Sequence, residues 1–229
     1  MCQLFSIGRA SFDANCESWM AALRAGANIN SHGSAALFID ETNGNHSIVR
    51  AMDWDDIEDV LETKRDWTRV LIHQRYGTRG ARDVFNTHFW QVGDLFYCHN
   101  GVLRGEVSQD FEVDSHAIGH MLETGGIWAA LQFLQEQDYA NVFIVDLNEY
   151  CYYVSRSETN TLFTNSGGDY STASVAGLVE QEVPRNSIVR HAFVKPVEAA
   201  PTYSGWFNSR ADDDYESQVE ASIHGDRKS

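Results

Sequence analysis

Five short segments of this sequence combine a thiol, amide groups, a guanidinium and a carboxylate. In chain order they are residues 1–5 (MCQLF), 73–80 (HQRYGTRG), 86–89 (NTHF), 98–102 (CHNGV) and 113–116 (VDSH). Each of the last four places polar side chains where a strand is predicted to end. A rigid scaffold can aim loop residues at a ligand from such positions.

Cys2 is the candidate nucleophile. Removal of Met1 would leave its thiol and a free α-amine on the same carbon. The amine, with a usual pKa of about 8, could take the thiol's proton directly or through one water. A cysteine after the initiator methionine also arises by accident of composition, so both interpretations stay open on this segment alone.

Asn100 and Gly101 are candidate donors for an oxyanion. A thiolate that attacks an amide needs hydrogen-bond donors aimed at the developing negative charge. This pair offers a side-chain amide N–H and a backbone N–H next to a residue without a side chain. Asn-Gly is also the commonest dipeptide of two-residue hairpins, and a turn is the competing interpretation.

Arg75 and Asp114 carry the charges that a free α-amino acid requires. The planar fork of Arg75 suits a carboxylate. Asp114, at the predicted start of a helix, could hold an ammonium group or simply cap the helix. Together with Cys2 and the Asn100-Gly101 pair, these groups describe a site for an α-amino acid with a side-chain amide, and glutamine is the obvious candidate.

Hydrophobic periodicity predicts the elements that position these segments. Strands are predicted at residues 3–7, 35–40, 47–52, 70–73, 95–98, 140–146, 149–155, 161–165 and 188–194. Helices are predicted at residues 12–24, 53–62, 115–123 and 126–135. Strands dominate both ends of the chain, which indicates an α+β layered fold and not an alternating βαβ one.

Composition narrows the class of protein. A net charge of −16 argues against nucleic acid or an anionic membrane as a main partner. The sequence has no apolar run of the roughly 18 residues that a membrane helix needs, and no secretory signal. Four scattered cysteines without a CxxC pair fit a reducing compartment, so a cytoplasmic location is expected. Residues 2–195 are predicted to form one domain, and residues 196–229 an acidic, partly disordered extension.

With these segments in order, the chain resembles the class II, or N-terminal nucleophile (Ntn), glutamine amidotransferases. That family begins with Met-Cys and a strand, and its arginine loop, H-x-R-[WY]-[AS]-T-x-G, is similar to residues 73–80. Its N-x-H-P element resembles residues 86–89, its H-N-G matches residues 99–101, and its S-[ED]-[TS]-[DE] segment is similar to residues 113–116. The match runs from residue 2 to about residue 120 and, less clearly, to about residue 195.

The resemblance implies a fold and a set of roles. The fold would be a four-layer αββα sandwich of two stacked, mainly antiparallel sheets, with the strand that follows Cys2 in a central position. The implied catalytic residues are Cys2 as nucleophile with its amine as base, and Asn100 and the N–H of Gly101 as oxyanion hole. The implied glutamine ligands are Arg75 for the α-carboxylate and Asp114 for the α-ammonium, with Tyr76 and Thr78 lining the pocket.

The implied reaction hydrolyses glutamine without a metal or another cofactor. Cys2 attacks the side-chain amide, ammonia leaves, and water releases glutamate from a γ-glutamyl thioester. Two departures from the family pattern affect the substrate pocket: Arg79 stands where glucosamine-forming relatives have histidine, and His116 stands where many members have an acidic residue.

Several alternatives concern the substrate and the biochemical role of the domain. Only residues 196–229 follow the predicted domain, so the ammonia is expected to go to a separate synthase subunit in trans. The main alternative is a stand-alone amidohydrolase that cleaves a γ-glutamyl amide in a larger substrate. His116 and His120, four residues apart near Asp114, could belong to a metal site or be ordinary helix histidines. A catalytically inactive interaction protein of the same fold is a further hypothesis, and a homo-oligomer is compatible with the sequence.

Overall fold

The structure is a computed structural model that describes residues 2–105 and 111–193 and the backbone of residues 207–208. Its helices are Arg9–Ala14 (α1), Cys16–Ile29 (α2), Trp54–Thr63 (α3) and His116–Gln135 (α4), with a 3₁₀ turn at Val84–Asn86. The first seven strands are Gln3–Gly8 (β1), Ser34–Ile39 (β2), His46–Ala51 (β3), Arg69–Gln74 (β4), Trp90–Val92 (β5), Leu95–Gly101 (β6) and Ala140–Asp146 (β7). The remaining strands are Cys151–Arg156 (β8), Phe163–Thr164 (β9), Tyr170–Ser171 (β10), Gln181–Glu182 (β11), Ser187–Ala192 (β12) and Phe207–Asn208 (β13).

The strands form two sheets. The first has the order β11-β9-β10-β1-β4-β2-β3-β13 and the second the order β12-β8-β7-β6-β5. Neighbouring strands are antiparallel, except that β13 runs parallel to β3. β1 is hydrogen-bonded to β4 on one side and to β10 on the other, so it lies inside its sheet and is held on both sides.

Side chains that alternate along the strands divide the interior into three cores. Leu4 of β1 and Phe96 of β6 belong to the core between the two sheets. Their neighbours face outwards: Phe5 packs in the core beneath α1, α2 and α3, and Tyr97 packs in the core beneath α4. The layers are therefore helices, sheet, sheet and helix, which confirms the predicted αββα sandwich.

Most predicted helices and strands are present with shifted ends. The predicted helix at 12–24 is two helices, because the chain leaves the helical conformation at Asn15. The predicted helices at 115–123 and 126–135 are the two halves of α4, which is kinked where Gly126 has a φ of 71°. The strands β5, β10 and β11 were not predicted, since two or three residues are too few for a periodic pattern.

Some sequence predictions fall outside the part of the chain described. The predicted acidic extension, residues 196–229, lies outside the described residues apart from the two-residue backbone of β13. Within the described part of the chain, no helix combines the length and the hydrophobicity needed to cross a bilayer.

Candidate active site

A small recess, open to solvent, lies where β1 begins and β4 and β6 end. Six of the seven residues predicted for the site line it. They are Cys2, Arg75, Tyr76, Thr78, Gly101 and Asp114. The seventh, Asn100, is buried directly before Gly101 and is not on the wall of the recess.

Cys2 immediately precedes β1, and the pairing of that strand with β4 brings it next to Tyr76. Its Sγ accepts a hydrogen bond from the Tyr76 N–H at 3.3 Å and lies 3.8 Å from the Tyr76 carbonyl oxygen. Burial raises the pKa of the Cys2 thiol, and the Tyr76 hydrogen bond and the charge of Arg75 offset this only in part. The thiol is therefore protonated at neutral pH and needs a base before it can attack.

Arg75 follows β4 and is buried within its own loop. Its Nη1 donates to the Ala81 carbonyl at 2.8 Å and its Nη2 to the Arg79 carbonyl at 2.9 Å. Gly77 lies against the guanidinium so closely that a Cβ there would be 2.6 Å from Cζ. A guanidinium has five N–H donors, and the loop engages two of its groups while the side chain still lines the recess.

Asp114 is buried and also lines the recess. Its Oδ2 accepts a hydrogen bond from the Leu103 N–H at 2.9 Å. The helix α4 starts two residues later, at His116, with Ser115 at the N-cap position and no capping hydrogen bond from its side chain. Asp114 thus does not cap α4, and its carboxylate connects the segment after β6 to the start of the helix.

Asn100 and Gly101 are the last two residues of β6 and pair with β7, so the hairpin interpretation of this dipeptide is wrong. Gly101 has a φ of 137°, and a Cβ there would overlap the Tyr139 carbonyl oxygen. The Asn100 carbonyl accepts a hydrogen bond from Asn160 Nδ2 at 3.0 Å. The Asn100 Oδ1 atom is buried and has no hydrogen-bond partner among the described residues.

The loop after β4 forms one side of the mouth of the recess. Tyr76 is partly exposed and its ring stacks on His32, with ring centroids 5.0 Å apart. His32 Nδ1 accepts a hydrogen bond from the Gly77 N–H at 3.0 Å. Arg79, one of the two departures from the family pattern, donates from Nη2 to the Phe111 carbonyl at 2.8 Å. The loop is thereby tied to the chain segment that leads to Asp114.

The recess is also lined by residues that the sequence does not assign to the site, and three of them, His88, His99 and Ser115, form a group of polar side chains. All three are buried, and burial lowers the pKa of both histidines, that of His88 strongly. His73 lies behind them, with its ring stacked on that of His88 at a centroid distance of 3.8 Å. Each of these residues stands in one of the short segments singled out in the sequence, and that position is the signal that could have identified them.

The metal-site interpretation of His116 and His120 gains no support. The described residues contain no group of three or more His, Cys, Asp or Glu side chains placed to hold a metal ion. The His116 ring instead makes an edge contact with Trp90, with centroids 4.7 Å apart, and both histidines lie near the Phe111 ring. These contacts fit ordinary helix histidines.

No protein-family model matches this sequence, and no curated protein matches it either. Among solved structures, the chain is similar to the glutamine phosphoribosylpyrophosphate amidotransferase from B. subtilis, complexed with ADP and GMP, at 13% identity and a TM-score of 0.58. The match covers 89% of this chain and 51% of that chain. The structure of the allosteric regulatory enzyme of purine biosynthesis gives the same identity and TM-score, over 89% of this chain and 50% of that one. This chain has the same overall fold as the matched part of these two enzymes.

The similarity shows a common fold only. At identities this low it does not show a common reaction, which has to be argued from the residues. The chain spans about half the length of these two structures. A third structure, a glutamine aminotransferase class-II domain protein from Silicibacter pomeroyi, is 10% identical with a TM-score of 0.47, over 85% of this chain and 100% of that chain. The fold implied by the resemblance noted in the sequence is confirmed, and the roles of single residues are proposals.

Proposed function

We propose that this chain is a glutamine amidohydrolase whose nucleophile is Cys2, exposed as the N-terminal residue by removal of Met1. One observation carries the proposal: a thiol, a guanidinium and a carboxylate, from segments far apart in sequence, line a single recess in an Ntn-hydrolase fold. The thiol lies at the start of a strand held on both sides, which fixes its position relative to the two charged groups.

The α-amine of Cys2 is the proposed base. The raised pKa of the thiol requires a base, and the partner of Sγ within the described chain is the Tyr76 backbone and not an imidazole. The amine takes the thiol's proton as Sγ bonds to the amide carbon of glutamine, and gives it to the departing nitrogen as the C–N bond breaks. Water then attacks the γ-glutamyl thioester, with the amine again as base, and glutamate and the free thiol result.

Asn100 and Gly101 are the proposed oxyanion donors. Both end β6, a strand of the facing sheet that contacts β1, and Gly101 lines the same recess as Cys2. The positive φ of Gly101 and its contact with Tyr139 hold this backbone in a conformation that a side chain would not permit. A preorganised pair of this kind lowers the barrier because the donors need no rearrangement when charge develops.

Arg75 and Asp114 are the proposed ligands of the α-carboxylate and α-ammonium groups of glutamine, with Tyr76 and Thr78 beside them. Their opposite charges lie on the walls of the same recess. The two loop carbonyls that hold the Arg75 guanidinium keep it in one orientation, so less side-chain entropy is lost when a carboxylate binds.

The ammonia is proposed to pass to a separate synthase, in a cytoplasmic setting. A second candidate is hydrolysis of a γ-glutamyl amide within a larger molecule, and the opening of the recess to solvent beside the partly exposed Tyr76 favours it. Rates of glutamate release from glutamine and from a γ-glutamyl peptide distinguish the two.

The test of the proposed function is glutamate release from glutamine by the wild type and by Cys2→Ala. We expect the variant to lose at least about 1,000-fold in rate, since no other nucleophile replaces the thiol. Cys16→Ala is the matched control, because Cys16 is a free, exposed cysteine at the start of α2. Equal rates for wild type and Cys2→Ala, or an intact mass that retains Met1 in the active protein, would contradict the proposal.

A further inference from the structure

Three buried side chains on the wall of the recess form a closed chain of hydrogen bonds. His88 follows the 3₁₀ turn, His99 lies on β6, and Ser115 immediately precedes α4. The His99 backbone N–H lies 3.1 Å from His88 Nδ1, His88 Nε2 lies 3.4 Å from Ser115 Oγ, and Ser115 Oγ lies 2.7 Å from His99 Nδ1. This series of hydrogen bonds begins at the His99 backbone and ends at the His99 ring.

The first of these hydrogen bonds determines the tautomer of His88, from which the direction of the others can be inferred. A backbone N–H can only donate, so His88 Nδ1 must carry a lone pair, and the proton of the neutral ring is on Nε2. His88 Nε2–H then donates to Ser115 Oγ. The Ser115 hydroxyl needs an acceptor for its own hydrogen, and His99 Nδ1, at 2.7 Å, is the one the described residues offer, so we infer that Ser115 donates to His99 Nδ1. His99 therefore also carries its proton on Nε2.

The His99 Nε2–H group has no partner within the described part of the chain. It is buried, and His99 lines the recess together with Gly101 and Asp114. A buried N–H without an acceptor is unfavourable by an amount comparable to a lost hydrogen bond, and such groups in folded proteins meet a partner that the protein itself does not supply. An oxygen atom of a bound ligand would meet this requirement.

We propose that Ser115 and His88 are positioning residues that fix His99 as the Nε2–H tautomer, so that His99 presents a hydrogen-bond donor to an oxygen of the α-amino-acid substrate in the recess. The inference rests on the proposed function for the identity of the ligand. The tautomer follows from the hydrogen bonds of the protein alone.

The electrostatic surroundings agree with a neutral donor. Burial lowers the pKa of His99, although the nearby charge of Asp114 and the Gly101 backbone act in the opposite direction. Burial and the neighbouring histidines lower the pKa of His88 further. At neutral pH both rings carry one proton, so His99 contributes a directed donor and not a charge.

The tautomers can be measured directly in the ligand-free protein by nuclear magnetic resonance of ¹⁵N-labelled histidine side chains. We expect both His88 and His99 to show the pattern of a protonated Nε2 and an unprotonated Nδ1 at pH 7.5. A His99 ring protonated on Nδ1, or on both nitrogens, would overturn the inference whether or not the protein hydrolyses glutamine.

The ligand half of the inference is tested with L-glutamate, the expected product, as the probe. We expect its addition to shift the His99 Nε2–H resonance. We also expect Ser115→Ala to mix the tautomers of His99 and to weaken glutamate binding about five- to tenfold, the effect of one hydrogen bond. Ser115→Thr keeps the hydroxyl and should restore both. In turnover, Ser115→Ala should raise KM more than it lowers kcat.

A purely structural role for Ser115 would leave the His99 tautomer unchanged in a folded Ser115→Ala variant, and that result would overturn the proposal. Thermal unfolding shows whether the variant is folded, and Ser115→Thr tests the same hydroxyl if it is not. If the wild type has the expected tautomers but does not bind L-glutamate, the donor role is overturned together with the proposed function. If glutamate binds without a shift of His99, only this inference fails.

Discussion

Among the single side chains of the recess, burial determines which groups carry charge. It raises the pKa of the Cys2 thiol and lowers those of His88 and His99, so all three are neutral at pH 7. The charged side chains that line the recess are then Arg75, Arg79 and Asp114. Arg79 donates to the Phe111 carbonyl, and Arg75 and Asp114 are the pair of opposite sign proposed to meet the ligand. A zwitterionic amino acid matches this arrangement, and a substrate that carries a single charge leaves one of the two groups without its partner.

Gly101 provides a stability prediction at one position. Replacing it with alanine adds a Cβ that overlaps the Tyr139 carbonyl oxygen, at a φ of 137° that side chains rarely adopt. We expect a loss of about 2–4 kcal/mol in the free energy of unfolding, and a fall in Tm of about 2–4 °C for each kcal/mol. Differential scanning calorimetry measures both.

Gly93→Ala is the matched control for this experiment. Gly93 has a φ of 57° and no atom within contact distance of an added Cβ. It therefore reports the effect of backbone conformation alone, about 1 kcal/mol. Equal destabilisation by the two substitutions would show that the close approach to Tyr139 does not matter.

At the scale of strands and helices, α2 packs tightly against the first sheet close to the site. Gly26 of α2 lies against the side-chain oxygens of Gln3 and Gln74, which face each other across β1 and β4. Gln74 Nε2 also donates to the Leu23 carbonyl of α2 at 2.7 Å. Gln3 directly follows Cys2, and Gln74 directly precedes Arg75. The position of α2 therefore affects the positions of both site residues.

Gly26→Ala tests this connection. The added methyl group would overlap both glutamine side-chain oxygens, and α2 must move away from the sheet or the glutamines must rotate. We expect a loss of about 1–3 kcal/mol in stability and a lower kcat in glutamate release. Asn28→Ala, an exposed change on the same helix, is the control and should alter neither quantity. Full activity and stability in Gly26→Ala would refute the prediction.

The sequence predicts more of the elements than of their connections. Alternating and helical periodicity locates β1, the β2–β3 hairpin and both halves of α4, because each extends over enough residues to show its period. Asn100-Gly101 misleads local reasoning, since the dipeptide is common in hairpins and only the pairing with β7 places it at a strand end. The link of Ser115 to His88 and His99 joins three segments, and no local pattern predicts it.

Across the complete fold, neutral histidines in the interior couple stability to pH. Burial holds the pKa values of His73 and His88 well below the usual range in the folded state, whereas unfolding restores values of about 6.5. As the pH falls through 6.5, the unfolded chain therefore binds more protons than the folded chain. The free energy of unfolding is highest above that pH and decreases below it. Each such histidine accounts for a loss of about 1.4 kcal/mol between pH 7.5 and 5.5.

His73→Phe is expected to remove one histidine's share of this pH dependence, as measured by urea denaturation at the two pH values. Both ring nitrogens of His73 are buried without a hydrogen-bond partner among the described residues, so phenylalanine fits the site without leaving a polar group unsatisfied. Asn28→Ala, an exposed change that removes no titratable group, should leave the difference between the two pH values unchanged. A His73→Phe variant with the full wild-type difference would contradict this account.

The neighbours of β1 also determine when the recess can exist during protein synthesis. Cys2 is among the first residues made, yet β1 is completed by β10, and the Leu4 N–H donates to Thr172 Oγ1, 168 positions later in the chain. At roughly 5–20 residues per second, a ribosome needs on the order of 10–30 s to reach that partner. A nascent chain that ends before Tyr170 already contains every residue of the recess but lacks the strand that holds the nucleophile in place. We therefore expect glutamine hydrolysis to begin only when nearly all of the sandwich has left the ribosome.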